Sequence, residues 1–173
     1  MIIVLIGYMG SGKSSIGRRL ADKIGYQHLD LDTFIEEQEK ASVQDIFKIK
    51  GEIYFRKQEV TYLQDILNNR NNIILSTGGG TPCFGNNMAL INKHKHTKSV
   101  YLKSSVSTLS EKLIRKKATR PLISHIETME DMEVFIGKHL FERVPFYNQA
   151  KCILDTSKKT KKEVVKAIIS KLF

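Results

Sequence analysis

The chain has 173 residues with 41% hydrophobic and 27% charged side chains, enough apolar material for one core and too well mixed for general disorder. Lys and Arg together number 28 against 18 Asp and Glu, a formal charge of +10 that points to an anionic partner without saying which. One domain over 1–173 is expected, and a repeat array or a two-domain hinge protein is excluded on length and pattern.

The apolar start Met1 to Ile6 lacks a basic leading region and runs into glycine after a strand's length, so it reads as neither a secretion signal nor a membrane span. A cytoplasmic location without membrane association is expected. Five short β-branched and aliphatic runs read as strands: Ile2 to Ile6, Gln27 to Leu29, Ile73 to Thr77, Ser99 to Leu102, and Cys152 to Leu154. Between them lie helical patterns. Lys13 to Ile24 carries Ile16, Leu20 and Ile24 on one face and stops at Gly25; about Ile53 to Asn69 carries Val60, Leu63 and Leu67; Val106 to Lys117 carries Leu109, Leu113 and Lys116. A further helix is expected from about Met129, and Thr160 to Phe173 reads as a closing amphipathic helix with its lysines outward. Alternating strands and helices, with nearly unbroken apolar strands, predict an α/β fold whose parallel sheet is covered on both faces.

The sequence Gly7-Tyr8-Met9-Gly10-Ser11-Gly12-Lys13-Ser14 follows the first strand and opens a helix, satisfying G-x-x-x-x-G-K-[ST] in the context that gives the motif meaning. Its glycines let successive backbone N–H groups face phosphates, and the helix start adds a positive dipole end. Lys13 is expected at the β- and γ-phosphates of a nucleoside triphosphate, and Ser14 at a bridging Mg²⁺. Leu29-Asp30-Leu31-Asp32 places two carboxylates at a strand's carboxyl end, where open α/β sheets bind ligands. Either can hold hydrated Mg²⁺ or accept a substrate hydroxyl, and Asp32 can equally be a helix cap before Thr33. Arg56 and Glu59, three apart, share a helix face, an arrangement common on structural surfaces too. Ser76-Thr77-Gly78-Gly79-Gly80 ends the third strand without the Asp of a usual Walker B strand, so Asp30 is the candidate metal-side carboxylate.

Taken together with Phe55-Arg56-x-x-Glu59, Arg120-Pro121-Leu122 and Arg143-x-x-x-Tyr147, these motifs in this order resemble the shikimate kinase family over residues 2 to about 160. The resemblance implies a three-layer αβα P-loop kinase fold with a five-stranded parallel sheet in the order 2-3-1-4-5 and a lid at about 117–128. It implies transfer of the ATP γ-phosphoryl group to the 3-hydroxyl of shikimate, with Mg²⁺, in aromatic amino-acid biosynthesis, by a monomer. ATP would be held by Gly10, Ser11, Gly12, Lys13, Ser14, Ser15 and Arg120, and the metal by Ser14 and Asp30. Asp32 would bind and activate the substrate hydroxyl, Arg56 and Arg143 would clamp its carboxylate, and Gly78, Gly79 and Gly80 would present backbone donors. Arg120 would close with the lid, making Lys13, Asp32 and Arg120 the catalytic set.

Arg115 and Lys158 or Lys159 are the candidates near adenine. The His94-x-His96 pair lacks a third metal ligand and reads as surface, while Cys83 and Cys152, far apart, read as free thiols. A related kinase acting on gluconate or a nucleoside monophosphate is the alternative enzyme. A nucleotide switch or nucleic-acid module, suggested by nine basic and one acidic residue in 91–120, is disfavoured because the chain lacks N-K-x-D and aromatics interleaved with that block.

Overall fold

Strand β1 (Ile2–Ile6) is wholly buried on both faces, which is why its sequence shows no polar alternation. In the computed structural model, which describes residues 1–173 except the side chain of Thr119, β1 is the centre of a five-stranded sheet. The other strands are β2 (Gln27–Asp30), β3 (Ile73–Ser76), β4 (Thr97–Lys103) and β5 (Cys152–Asp155). Their order is β2-β3-β1-β4-β5, every pairing is parallel, and the order reverses beside β1. The phosphate-loop motif therefore emerges at the switch point, where ligands bind in such sheets.

Side chains alternate across β1. Ile3 and Leu5 pack with α1 (Lys13–Ile24) and α7 (Lys161–Leu172) on one face. Ile2, Val4 and Ile6 face the larger core built with α2 (Leu31–Glu39), α3 (Val43–Asn69), α4 (Asn87–Lys93), α5 (Val106–Ile114) and α6 (Met129–Tyr147). Helix α1 ends at Gly25 in the left-handed conformation, as its sequence predicts. Helix α7 starts with a Thr160/Glu163 capping box and buries Val164, Val165 and Ile168, leaving Lys161, Lys162, Lys166 and Lys171 exposed.

Three expectations need correction. The helix read from Ile53 begins at Val43 and is broken by Gly51, whose φ of 82° and ψ of 168° only glycine adopts readily. Glu39 at the end of α2 accepts hydrogen bonds from Lys50 before this break and from Tyr54 and Tyr62 after it, fixing the two limbs together. The cap of α2 is Asp30, whose carboxylate accepts the Asp32 N–H, so Asp32 lies inside the first turn. Helix α5 stops at Ile114, three residues short, because the chain turns into two short 3₁₀ segments, Lys117–Thr119 and Pro121–Ile123, on either side of Arg120. Among the described residues no helix is long and apolar enough to cross a membrane, and both cysteines are free.

Candidate active site

Backbone conformation prepares the phosphate loop. Gly7, Gly10 and Gly12 have φ of 151°, 82° and 94°, and a Cβ at Gly7 would lie 2.9 Å from the Leu102 carbonyl oxygen. Lys13 turns back along the loop, donating to the carbonyls of Gly7 (2.7 Å) and Tyr8 (3.0 Å). Burial lowers its pKa to about 8 against the pull of Asp32 and Asp30. Ser14 donates to Asp30 at 2.6 Å, pairing two hard oxygen donors of the kind that suit Mg²⁺. Ser15 donates to the Gly12 carbonyl, bracing the loop, and the buried Ser11 hydroxyl stands against Gly7.

A cleft of about 790 Å³ opens over this loop. It collects Gly10, Gly12, Lys13, Ser14 and Ser15 with Asp30, Asp32, Gly78, Gly79 and Arg120, residues drawn from four separate stretches of chain. Of the adenine candidates, Arg115 lines it; Lys161 does so in place of Lys158 and Lys159. Arg120 Nε is buried without a hydrogen-bond partner among the described residues, and its charge opposes that of Lys13. Two cations converging on one cleft, neither with an ion-pair partner among the described residues, suit a polyanionic ligand.

The triple glycine has a role that the sequence does not reveal. None of the three has a positive φ, so the requirement is space. A Cβ on Gly78 would meet Asp32 Oδ1 at 2.8 Å, one on Gly79 would lie 3.6 Å from Arg143 Nη1, and one on Gly80 would meet Arg56 Nη2 at 3.0 Å. Gly78 and Gly80 thus make room for Asp32 and Arg56, while Gly79 lies in ordinary contact distance of Arg143 and of the Met9 backbone. Asp32, against Gly78, has its pKa pushed up to about 6 by burial and by the charges of Asp30 and Glu59, partly offset by Lys13. Such a carboxylate is ionised at neutral pH yet a much better proton acceptor than a surface aspartate.

Arg56 and Arg143 stand beyond the cleft lining, their guanidinium groups beside Gly80 and Gly79. Arg56 donates to Glu59 (2.9 Å) and lies 3.7 Å over the Phe84 ring. Glu59, 1% exposed, also accepts from the Thr81 hydroxyl at 2.6 Å, and Thr81 is held through its carbonyl by Asn87. The Arg56/Glu59 pair is therefore part of a buried network rather than a surface ornament. On α6, Tyr147 donates to the Gly79 carbonyl at 2.6 Å, one turn beyond Arg143. Thr81, Asn87 and Phe84 carry no recognisable sequence signal, since their function exists only once α3 and the segment after β3 are side by side.

The family model for shikimate kinase matches residues 9–173. The chain belongs to the shikimate kinase family. A shikimate kinase of Azobacteroides pseudotrichonymphae is 42% identical over 170 residues, covering 98% of each chain. One of Flavobacterium johnsoniae is 42% identical over 167 residues, covering 96% of each. The crystal structure of shikimate kinase from Bacteroides thetaiotaomicron superposes with a TM-score of 0.90 at 32% identity, covering 99% of this chain and 98% of that one. Shikimate kinase from Acinetobacter baumannii, solved in complex with shikimate, superposes with a TM-score of 0.86 at 30% identity, covering 99% and 92%. The sheet order and flanking helices are those of the shikimate kinase fold.

Proposed function

We infer that this shikimate kinase family member transfers the γ-phosphoryl group of ATP to the 3-hydroxyl of shikimate, giving shikimate 3-phosphate and ADP. The observation that carries the reading is the triple-glycine shelf, which sets a proton-accepting carboxylate and two guanidinium groups beside a phosphate loop. A small carboxylated polyol has the matching groups: a hydroxyl to be activated and a carboxylate that planar guanidinium groups grip at two points.

In this account Asp32 accepts the hydrogen bond of the attacking hydroxyl and takes its proton as the new P–O bond forms. Arg56 and Arg143 hold the carboxylate so that one hydroxyl, and no other, meets the γ-phosphorus in line. Lys13, the N–H groups of the phosphate loop and Arg120 stabilise charge on the phosphoryl oxygens in a loose transition state. Ser14 and Asp30 would hold Mg²⁺, which neutralises charge between the β- and γ-phosphates when bound. Closure of the segment 117–128 would bring Arg120 in and exclude water, so that transfer outruns ATP hydrolysis.

An ADP-release assay offering shikimate, gluconate, AMP and CMP tests the substrate. Turnover with shikimate alone is expected; turnover with any of the other three and none with shikimate would overturn the reading. The shelf makes a second prediction. Gly78→Ala, by displacing Asp32, is expected to lower kcat by about 10²-fold, whereas Gly80→Ala, by displacing Arg56, is expected to raise the shikimate KM by about tenfold with a smaller effect on kcat. Steady-state kinetics separate the two; equal losses in both constants for both variants would contradict the division of labour.

A further inference from the structure

Tyr8 and His139 lie beside the site but take no part in the chemistry above. Tyr8 fills a position that the phosphate-loop motif leaves open, yet it is 1% exposed and contacts three functional elements. Its carbonyl accepts from Lys13, its ring faces the Arg143 guanidinium at 5.4 Å, and its hydroxyl meets His139 Nδ1 at 2.9 Å. His139 precedes Arg143 by one turn of α6, and its imidazole lies 4.3 Å from the ring of Phe135, a turn earlier again, tilted at 56° to it. Burial pushes the phenol up to about 12, and burial with the nearby Arg143 charge disfavours a protonated imidazole. The phenol therefore donates and the neutral ring accepts.

The two arginines are held in contrasting ways. Arg56 is pinned by Glu59 and Glu52, whereas among the described residues no carboxylate lies within ion-pair distance of Arg143. An aromatic face attracts a guanidinium without consuming its N–H donors or neutralising its charge. Arg143, which the Tyr147 hydroxyl also contacts, is thus aimed without a carboxylate partner to neutralise its charge. We propose that Tyr8 is a positioning residue for Arg143, with His139 fixing the phenol, so that the phosphate loop itself aims one arm of the carboxylate clamp. The proposal rests on Arg143 being that arm.

The test compares Tyr8→Leu, Tyr8→Phe and His139→Ala with the parent enzyme, each alone and combined with Arg143→Ala, by KM for shikimate, KM for ATP and thermal melting. Tyr8→Leu is expected to raise the shikimate KM about five- to tenfold, with ATP KM changed less than about twofold. Tyr8→Phe and His139→Ala, which keep the ring, are expected to raise it about two- to threefold, and none of the three should add to the loss caused by Arg143→Ala. Should Tyr8→Leu fail to fold, the two milder variants decide. Shikimate KM unchanged in all folded variants, parallel rises in both KM values, or full additivity with Arg143→Ala would overturn the proposal alone. An Arg143→Ala enzyme with unchanged shikimate KM would remove the clamp reading and the proposal with it.

Discussion

Asp32→Asn is expected to lower kcat by about 10²- to 10⁴-fold while making the protein more stable. The catalytic loss follows from removing the carboxylate whose raised proton affinity suits it to take the hydroxyl proton; nucleotide KM should change little because Asp32 faces the glycine shelf. The gain in stability follows from its proton affinity. A carboxyl raised from its ordinary 3.8 to about 6 binds its proton more tightly in the folded state than in the unfolded chain. The folded state is thereby favoured at low pH and loses that advantage as pH rises through 6. At pH 8 the ionised side chain thus destabilises the protein, by on the order of 3 kcal/mol, and the neutral amide relieves it. A melting temperature roughly 5–10 °C higher is expected. The same proton gives the parent enzyme a pH profile in which kcat/KM for shikimate falls below about pH 6 as Asp32 protonates. Normal turnover, or a lowered melting temperature in the Asn variant, would show Asp32 to be a structural residue of α2.

Lys13→Met is expected to reduce kcat/KM for ATP by at least about 10³-fold with the fold retained. Among the described residues Lys13 donates to carbonyls of its own loop and to no carboxylate, so its charge awaits phosphate oxygens. Because burial brings its pKa to about 8, kcat/KM for ATP should fall above about pH 8, as the free enzyme loses the cation. Bound triphosphate restores the proton's affinity, so kcat should lack that limb. Circular dichroism and a pH series of initial rates check the variant and the profile together. An active Met variant would move the phosphate cradle elsewhere.

Much of this was legible before folding was considered, and the exceptions have physical causes. Strand β1 and the phosphate loop are readable because a strand buried on both faces is a continuous apolar run and positive φ demands glycine. Helix α2 and the first limb of α3 are not. Residues 31–39 are short and polar, Ile49 and Ile53 are exposed rather than core, and Gly51 breaks the periodicity between them. The helical spacing carried through Lys116 failed where the chain turns after Ile114. At the site, motif order pointed to Asp32, Arg56 and Arg143, and the structure gathers them at adjacent glycines. That Gly78 and Gly80 yield space to Asp32 and Arg56, and that Tyr8 faces Arg143, depends on tertiary proximity between positions from 24 (Arg56 and Gly80) to 135 (Tyr8 and Arg143) residues apart, for which local pattern holds no signal. The net charge of +10 is also placed: Lys162, Lys166 and Lys171 of α7 are exposed, while Lys161 at its start lines the cleft with Arg115 and Arg120.

If the glycine shelf presents a single hydroxyl of shikimate to the γ-phosphoryl group of ATP, the product carries the record. After complete turnover with ATP, Mg²⁺ and shikimate, a phosphorus–proton correlated NMR spectrum should show one phosphate monoester, coupled to the proton on carbon 3. Phosphate on another hydroxyl, a mixture of esters, or ADP and free phosphate with shikimate unchanged would contradict it.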